Sequence, residues 1–182
     1  MFTSIFNDVL GPVMRGPSSS HTAGSYHIAK ITRDLLDNEP RKVDITFDVN
    51  GSYAQTFVQQ GVDQAFATGL MGWALTDTVY RHALDKAAEN GVSFRFHVAE
   101  LPQADHPNFA VISVKGADDT AITVEAKSVG GGTFIVTKVN DWPVYLDGKA
   151  HVLLAAGRAN QVPQLSALIT AASPTAAINT AN

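Results

Sequence analysis

Val43-Asp-Ile-Thr-Phe-Asp-Val49 alternates apolar and polar side chains without a break. A period of two puts Val43, Ile45, Phe47 and Val49 on one face of a strand and Asp44, Thr46 and Asp48 on the other. Such a strand is stable only with its apolar face buried, so the chain has to build a sheet with a covering layer. Gly51-Ser52 ends the strand.

The same alternation returns from Val92 to Val98. Two further strands are expected at about 109–115 and 120–127, around the turn Gly116-Ala-Asp-Asp119. Gly130-Gly-Gly132 breaks the pattern before a strand from Thr133 to Val139. Asn140-Asp141 and Asp147-Gly148 are turn signals that bracket Trp142 to Leu146. Helical spacing interleaves with these strands. A short helix over 4–10 packs Ile5, Phe6 and Val9, and a second, about Thr22 to Asp37, puts Ile28, Ile31 and Leu35 on one face. Residues 62–72 form a buried helix held close by small residues. Asp77 is the N-cap of another that runs to Asn90 and stops at Gly91. The fold class is α/β (α+β): a mixed sheet with packed helices. From about Ala150 the chain turns to Ala, Thr, Asn and Ser, with no charge after Arg158. There 151–157 add a strand, 161–171 a helix, and "SPTAAINTAN" a frayed tail. The expected organisation is a domain over 1–148 and a short C-terminal extension over 149–182.

At 182 residues and 45% hydrophobic, the chain can bury a proper core. Its net charge of −4 is unclustered, and without a basic run nucleic acid is not an expected partner. No leader-like segment and no apolar run of bilayer length stand out, so the expectation is a soluble, cytoplasmic protein with no membrane partner. Zero cysteines exclude disulfides and thiolate metal ligands on this chain.

The run Arg15-Gly-Pro-Ser-Ser-Ser-His-Thr-Ala-Gly24 concentrates polar chemistry. One reading is a helix start, with Ser20 or Thr22 as cap and Gly-Pro setting the turn. That accounts for one hydroxyl or two. A Ser–His dyad is a second reading, but neighbouring Ser20 and His21 diverge in either regular conformation, and only Ser18 and His21 have helical spacing that lets them meet. No acidic third member is identifiable. A third reading is an anion seat, in which free N–H groups at the helix start and several hydroxyls receive a carboxylate or phosphate. The helix dipole there keeps His21 neutral and able to exchange a proton near neutral pH.

"GPVMRGPSSSHTAG" at 11–24 resembles the signature near the start of the β subunit, or β domain, of iron–sulfur L-serine dehydratases. The similarity continues through Val49-Asn-Gly-Ser-Tyr-Ala-Gln-Thr56, Asp63, Gly69-Leu-Met-Gly72, His106-Pro107-Asn108, Gly130-Gly-Gly132 and Asn140. It covers about residues 5–148. The resemblance implies a compact fold similar to the allosteric substrate-binding domain of some phosphoglycerate dehydrogenases. It implies dehydration of L-serine to pyruvate and ammonia, an L-serine ammonia-lyase activity. The [4Fe-4S] cluster would be held by a partner α subunit and not by this chain, with one iron as Lewis acid on the serine hydroxyl. It also implies His21 as the catalytic group, and Ser18, Ser19, Ser20, Thr22, Gln60, Asp63, His106 and Asn108 as substrate-binding. Self-association through the β domain is a further expectation. The alternative is a regulatory amino-acid-binding module without chemistry.

Two departures from the family pattern matter. Where the family reads Gly-His-Gly-Thr-Asp, residues 59–63 read Gln-Gln-Gly-Val-Asp, so Gln60 and Val62 replace a histidine and a threonine. Glutamine hydrogen-bonds but does not titrate. Only about thirty residues follow Gly148, too few for an appended ACT domain, which needs roughly twice that. Among the other candidates, His106 before Pro107 sits in an extended loop, and Asp63 either caps the helix it begins or meets substrate. Gly130-Gly-Gly132 reads as a tight strand connection ahead of an anion cradle. His27, His82 and His151 show no metal-site spacing.

Overall fold

The structure, a computed structural model, describes residues 13–155 and 157–173. The expected helix over 4–10 and all of the tail beyond Ser173 lie outside the described residues. The chain divides into two compact units, 1–148 and 149–182.

Six strands make one sheet in the first unit: β1 (Pro40–Asp48), β2 (Ser93–Ala99), β3 (Phe109–Gly116), β4 (Ala121–Gly130), β5 (Thr133–Val139) and β6 (Trp142–Leu146). Their order is β2-β1-β3-β4-β5-β6, with β2 parallel to β1 and every other pair antiparallel. The sheet is mixed, as the sequence leads one to expect. Val43, Ile45 and Phe47 are fully buried and lie opposite Val114, Ile112 and Ala110 of β3. Ile122, Val124 and Ala126 of β4 extend that apolar face. Removing each large side chain here from water contributes about 1.5–3 kcal/mol. Val49 is a correction: it lies past the end of β1 and is 44% exposed. The chain is already turning there, with Gly51 N–H donating to Asp48 O at 2.9 Å.

The covering layer consists of α1 (Gly24–Leu36) and α3 (Val62–Leu70), which deliver Ile28, Ala29 and Leu36, and Val62, Phe66 and Leu70, to the core. They pack closely because Gly69 has no side chain; a Cβ there would lie 2.5 Å from Tyr26 O and 2.6 Å from Ala29 Cβ. The opposite face of the sheet is mixed, with Val111 and Ile135 among Thr46, Ser113, Thr123 and Lys127. Asp44 there pairs with Lys42, Arg95 and His97.

Because β1 and β2 are parallel, the chain between them needs a long crossover. It is built from α2 (Ser52–Thr56), α3, a 3-10 turn over Thr78–His82 and α4 (Ala83–Glu89). The sequence reading has no helix at 52–56. It also has a single helix from Asp77 to Asn90, which the structure splits. Asp77 does cap, accepting from Val79 N–H at 3.0 Å, and Gly91 does end α4 with φ +74°. The first turn tightens to 3-10, and in it the buried Tyr80 donates its phenol to Gly61 O at 2.8 Å. Gly131 and Gly132 have φ +62° and +85°, the left-handed pair of a two-residue hairpin turn between β4 and β5.

The second unit contains a 3-10 turn over Ala159–Gln161 and α5 (Val162–Ala172), close to the helix expected at 161–171. The strand expected at 151–157 does not form in the described residues of that stretch. A lone strand has no ladder to join among the described residues of this unit, and Val152, Leu153 and Leu154 stay exposed. No helix of the described residues is long and apolar enough to cross a membrane.

Candidate functional site

Ser18 begins the site. Its backbone is extended (φ −141°, ψ 126°), and its hydroxyl accepts from His21 N–H at 3.2 Å, so Ser18 is the N-cap. Ser20 and Thr22, the caps expected from sequence, lie two and four residues beyond this cap, inside the helical turn. That turn, Ser19–Ala23, is a π-helix that leads directly into α1, with Gly24 N–H donating to Ser19 O. The wide turn also changes which neighbours meet. Ser20 Oγ lies 3.1 Å from His21 Nδ1, closer than Ser18 Oγ at 3.4 Å. The expected divergence of Ser20 and His21 held for α and β backbones, and this turn is neither. Two N–H groups expected to be free are in use, since Thr22 N–H donates to Ser18 O at 2.7 Å.

The other ring nitrogen of His21 reaches across the fold. Nε2 lies 3.0 Å from the hydroxyl of Ser52, at the start of α2. The ring stands edge-on to Tyr53, with centroids 5.4 Å apart and planes at 80°. Tyr53 is fully buried; its phenol accepts from Ser25 Oγ at 2.8 Å and approaches Ser20 O at 3.5 Å. Burial pushes the Tyr53 pKa well up and holds that of His21 down, so the imidazole favours its neutral form. Desolvation lowers the His21 pKa here, where the sequence reading invoked the helix dipole.

Two further chain segments, β4 and the loop over 106–108, hold His21 and Ser52 in place. Ser128 of β4 donates to Ser20 O at 2.6 Å. Pro107 O accepts from Ser52 N–H at 2.7 Å, and Asn108 O accepts from Ser128 N–H at 3.1 Å. The His106-Pro107-Asn108 loop therefore braces both sides of the His21 pocket through its main chain. His106 itself accepts from Asn108 N–H on Nδ1 at 3.1 Å, which leaves the ring proton on Nε2 in the neutral form. Burial first and the Lys127 ammonium second lower its pKa, against the opposing Asp105. Asn108 is 7% exposed, and its carboxamide oxygen is buried without a hydrogen-bond partner among the described residues.

Thr22 faces elsewhere. It is fully buried and donates to the main-chain carbonyl of Gln60 at 3.1 Å. Beside it lie Tyr80, whose pKa is pushed up to about 12 mainly by burial, and Asp63. Asp63 is 8% exposed and accepts from Gln64 N–H at 2.8 Å, and burial raises its pKa. It does not cap α3, because Gly61 occupies that position with φ +65°. The structure thus brings Ser18, Ser20 and His21 together with the Asn108 main chain. It puts Thr22, Gln60 and Asp63 on a second side of the loop. The hydroxyl of Ser19 makes no hydrogen bond to a described residue. Ser52, Tyr53 and Ser128 belong to the site although sequence reasoning assigned them no role. The segment Gly51-Ser52-Tyr53 was the available signal.

Among the described residues no three His, Asp or Glu side chains converge as metal ligands, and the chain has no cysteine. Without cysteine, these residues do not fit an iron–sulfur cluster.

The sequence profile of the serine dehydratase beta chain family matches residues 6–99. A Bacillus subtilis (strain 168) protein named as a probable L-serine dehydratase, beta chain, is 33% identical over 153 residues, 84% of this chain and 67% of that relative. The L-serine dehydratase, beta chain, of Peptoniphilus asaccharolyticus is 31% identical over 147 residues, 81% of this chain and 65% of that relative. The chain spans about two thirds of the length of these curated relatives. The matched region contains the Ser18–Thr22 run and Ser52 together, and on this ground the chain belongs to the serine dehydratase β-chain family.

Proposed function

We propose that this chain is the β subunit of a two-component L-serine dehydratase that converts L-serine to pyruvate and ammonia in the cytoplasm. The observation that carries this reading is His21, held by hydroxyls on both ring nitrogens within the region that the family profile matches. A partner α subunit carries the [4Fe-4S] cluster, because this chain has no residues to hold one. The β subunit contributes a polar cavity wall at the junction: Ser18, Ser19 and Ser20 offer hydroxyls to the substrate carboxylate, and His21 sits where a proton has to be moved. His106, with Nδ1 taken by Asn108 N–H, is a second polar group within the same brace.

The test is anaerobic co-expression with an α chain from the same source. The isolated β chain is expected to be colourless, free of iron and unable to form pyruvate; the co-purified complex is expected to be brown and active. Serine binding to the β chain without turnover in any complex would favour the regulatory module instead. Pyruvate formation by the isolated chain, with contaminating enzyme excluded, sinks the assignment.

A further inference from the structure

Both ring nitrogens of His21 are engaged by hydroxyls of its own chain. Nδ1 lies 3.1 Å from Ser20 Oγ and Nε2 lies 3.0 Å from Ser52 Oγ. A ligand therefore meets a hydroxyl before it meets the imidazole. We infer that Ser52 is the group this site presents for proton transfer, and that Ser52, His21 and Ser20 act as one hydroxyl–imidazole–hydroxyl relay.

The hydrogen-bond bookkeeping supports this arrangement. A neutral imidazole donates from one nitrogen and accepts at the other. In one tautomer Ser52 donates to Nε2, and Nδ1–H donates to Ser20. In the other, Ser20 donates to Nδ1, and Nε2–H donates to Ser52. Both tautomers satisfy every atom in the chain, so the proton can be passed without breaking the array. Ser18 extends it, with its Oγ 3.3 Å from Ser20 Oγ and accepting from His21 N–H. One transfer balances as follows. Ser52 Oγ takes a proton from the ligand as its own proton moves to Nε2. The Nδ1 proton then passes to Ser20, the Ser20 proton to Ser18, and the Ser18 proton to solvent. One proton enters at Ser52 and one leaves at Ser18, and every group ends neutral.

The surroundings favour this over a free histidine acting directly. The Tyr53 ring stands edge-on to the imidazole, Ser128 and Tyr53 fix the Ser20 main chain, and Pro107 O fixes the Ser52 main chain. Ser52 and Ser18 are half-buried, so each end of the array reaches the surface of the site. No ion pair reaches His21 among the described residues, and a neutral relay needs none.

The use of this relay in dehydration rests on the proposed function, and the test separates the two. In the full chain alone, ¹⁵N spectra of the histidine rings are compared between wild type, Ser52→Ala and Ser20→Ala. Each substitution is expected to shift the His21 ring resonances by moving its tautomer balance, with Ser52→Thr restoring them. Ring resonances unmoved by Ser52→Ala would overturn the inference whether or not the complex is an enzyme. In the assembled complex, Ser52→Ala is expected to lower kcat by about a hundredfold or more with KM little changed. Combined with His21→Ala it should cost no more than either alone. If Ser52→Ala keeps a normal kcat while His21→Ala does not, the histidine acts directly and the relay is wrong. An inactive wild-type complex would fail the proposed function alone, and the ring spectra would still decide the relay.

Discussion

Ser128 Oγ donates a 2.6 Å hydrogen bond to the carbonyl of Ser20, fastening the end of β4 to a loop 108 residues earlier in the chain. Ser128 is fully buried, and its own N–H is bound to Asn108 O, so this serine joins the two loops that frame His21. A net hydrogen bond of this kind contributes about 0.5–1.5 kcal/mol. Ser128→Ala should lower stability by at least about that amount in urea unfolding of the isolated chain, since the hydroxyl also approaches Thr133 O at 3.4 Å. It should also speed hydrogen exchange across residues 18–22. Unchanged exchange there would mean that the loop does not depend on β4.

Gly24 explains why Ser128 can come so near. A Cβ at position 24 would lie 2.0 Å from Ser128 Oγ and 2.6 Å from Ser128 Cβ. Gly24 has φ −60°, so the glycine is required for space and not for backbone conformation. Alanine suits a helix, and propensity alone favours Gly24→Ala by about 1 kcal/mol. The overlap should reverse that sign and destabilise by about 1–3 kcal/mol. Gly24→Ala with Ser128→Gly should recover part of the loss, because both overlapping atoms are then gone. A single Gly24→Ala variant as stable as wild type would show that the strand moves aside at little cost.

Much of this architecture was legible because its signals are local. Alternation identified β1, and Asp77 and Gly91 marked the two ends of a helical region. The π turn was not legible, because it exchanges which of Ser18 and Ser20 sits closer to His21 without any change of composition. The Ser52–His21 pair was equally hidden. It depends on the crossover returning α2 to the end of β1, and a Gly-Ser dipeptide after a strand reads as a plain stop. The run Val152-Leu153-Leu154 misled for the opposite reason: strand-forming residues need a partner strand, and none is present among the described residues of their unit.

Asp63 should make stability fall as pH rises on the acid side of neutrality. Burial raises its folded pKa above the ordinary carboxylate value, so the folded chain keeps this proton when the unfolded chain has lost it. Between those two pKa values the unfolded state binds fewer protons, and the unfolding free energy decreases with pH. Asp63→Asn removes the titration yet keeps an amide oxygen for Gln64 N–H, which now donates to Asp63 at 2.8 Å. The variant should therefore gain on wild type as pH rises above the ordinary carboxylate pKa of about 4, in paired urea titrations. A difference that stays flat over that range would show that Asp63 ionises normally in the folded chain.

Gln60 stands where the resemblance places a histidine, and its contact with the site is of a particular kind. Thr22 donates to its main-chain carbonyl, a bond that any residue at position 60 would keep. Its side chain makes no hydrogen bond to a described residue. The proton relay inferred above runs from Ser52 to Ser18 and does not include position 60. Gln60→His should therefore change turnover of the assembled complex by less than about tenfold, or ~1.4 kcal/mol of barrier. Adding Val62→Thr is a different matter, because Val62 is fully buried in the core and a hydroxyl there needs a partner. The double variant should lose stability while its turnover per folded enzyme stays within the same range. Steady-state pyruvate formation, corrected for folded fraction and followed across pH, measures both effects. A hundredfold gain on Gln60→His with a new ionisation in the profile would show that position 60 holds the proton-transfer group and that the Ser52–His21–Ser20 array does not.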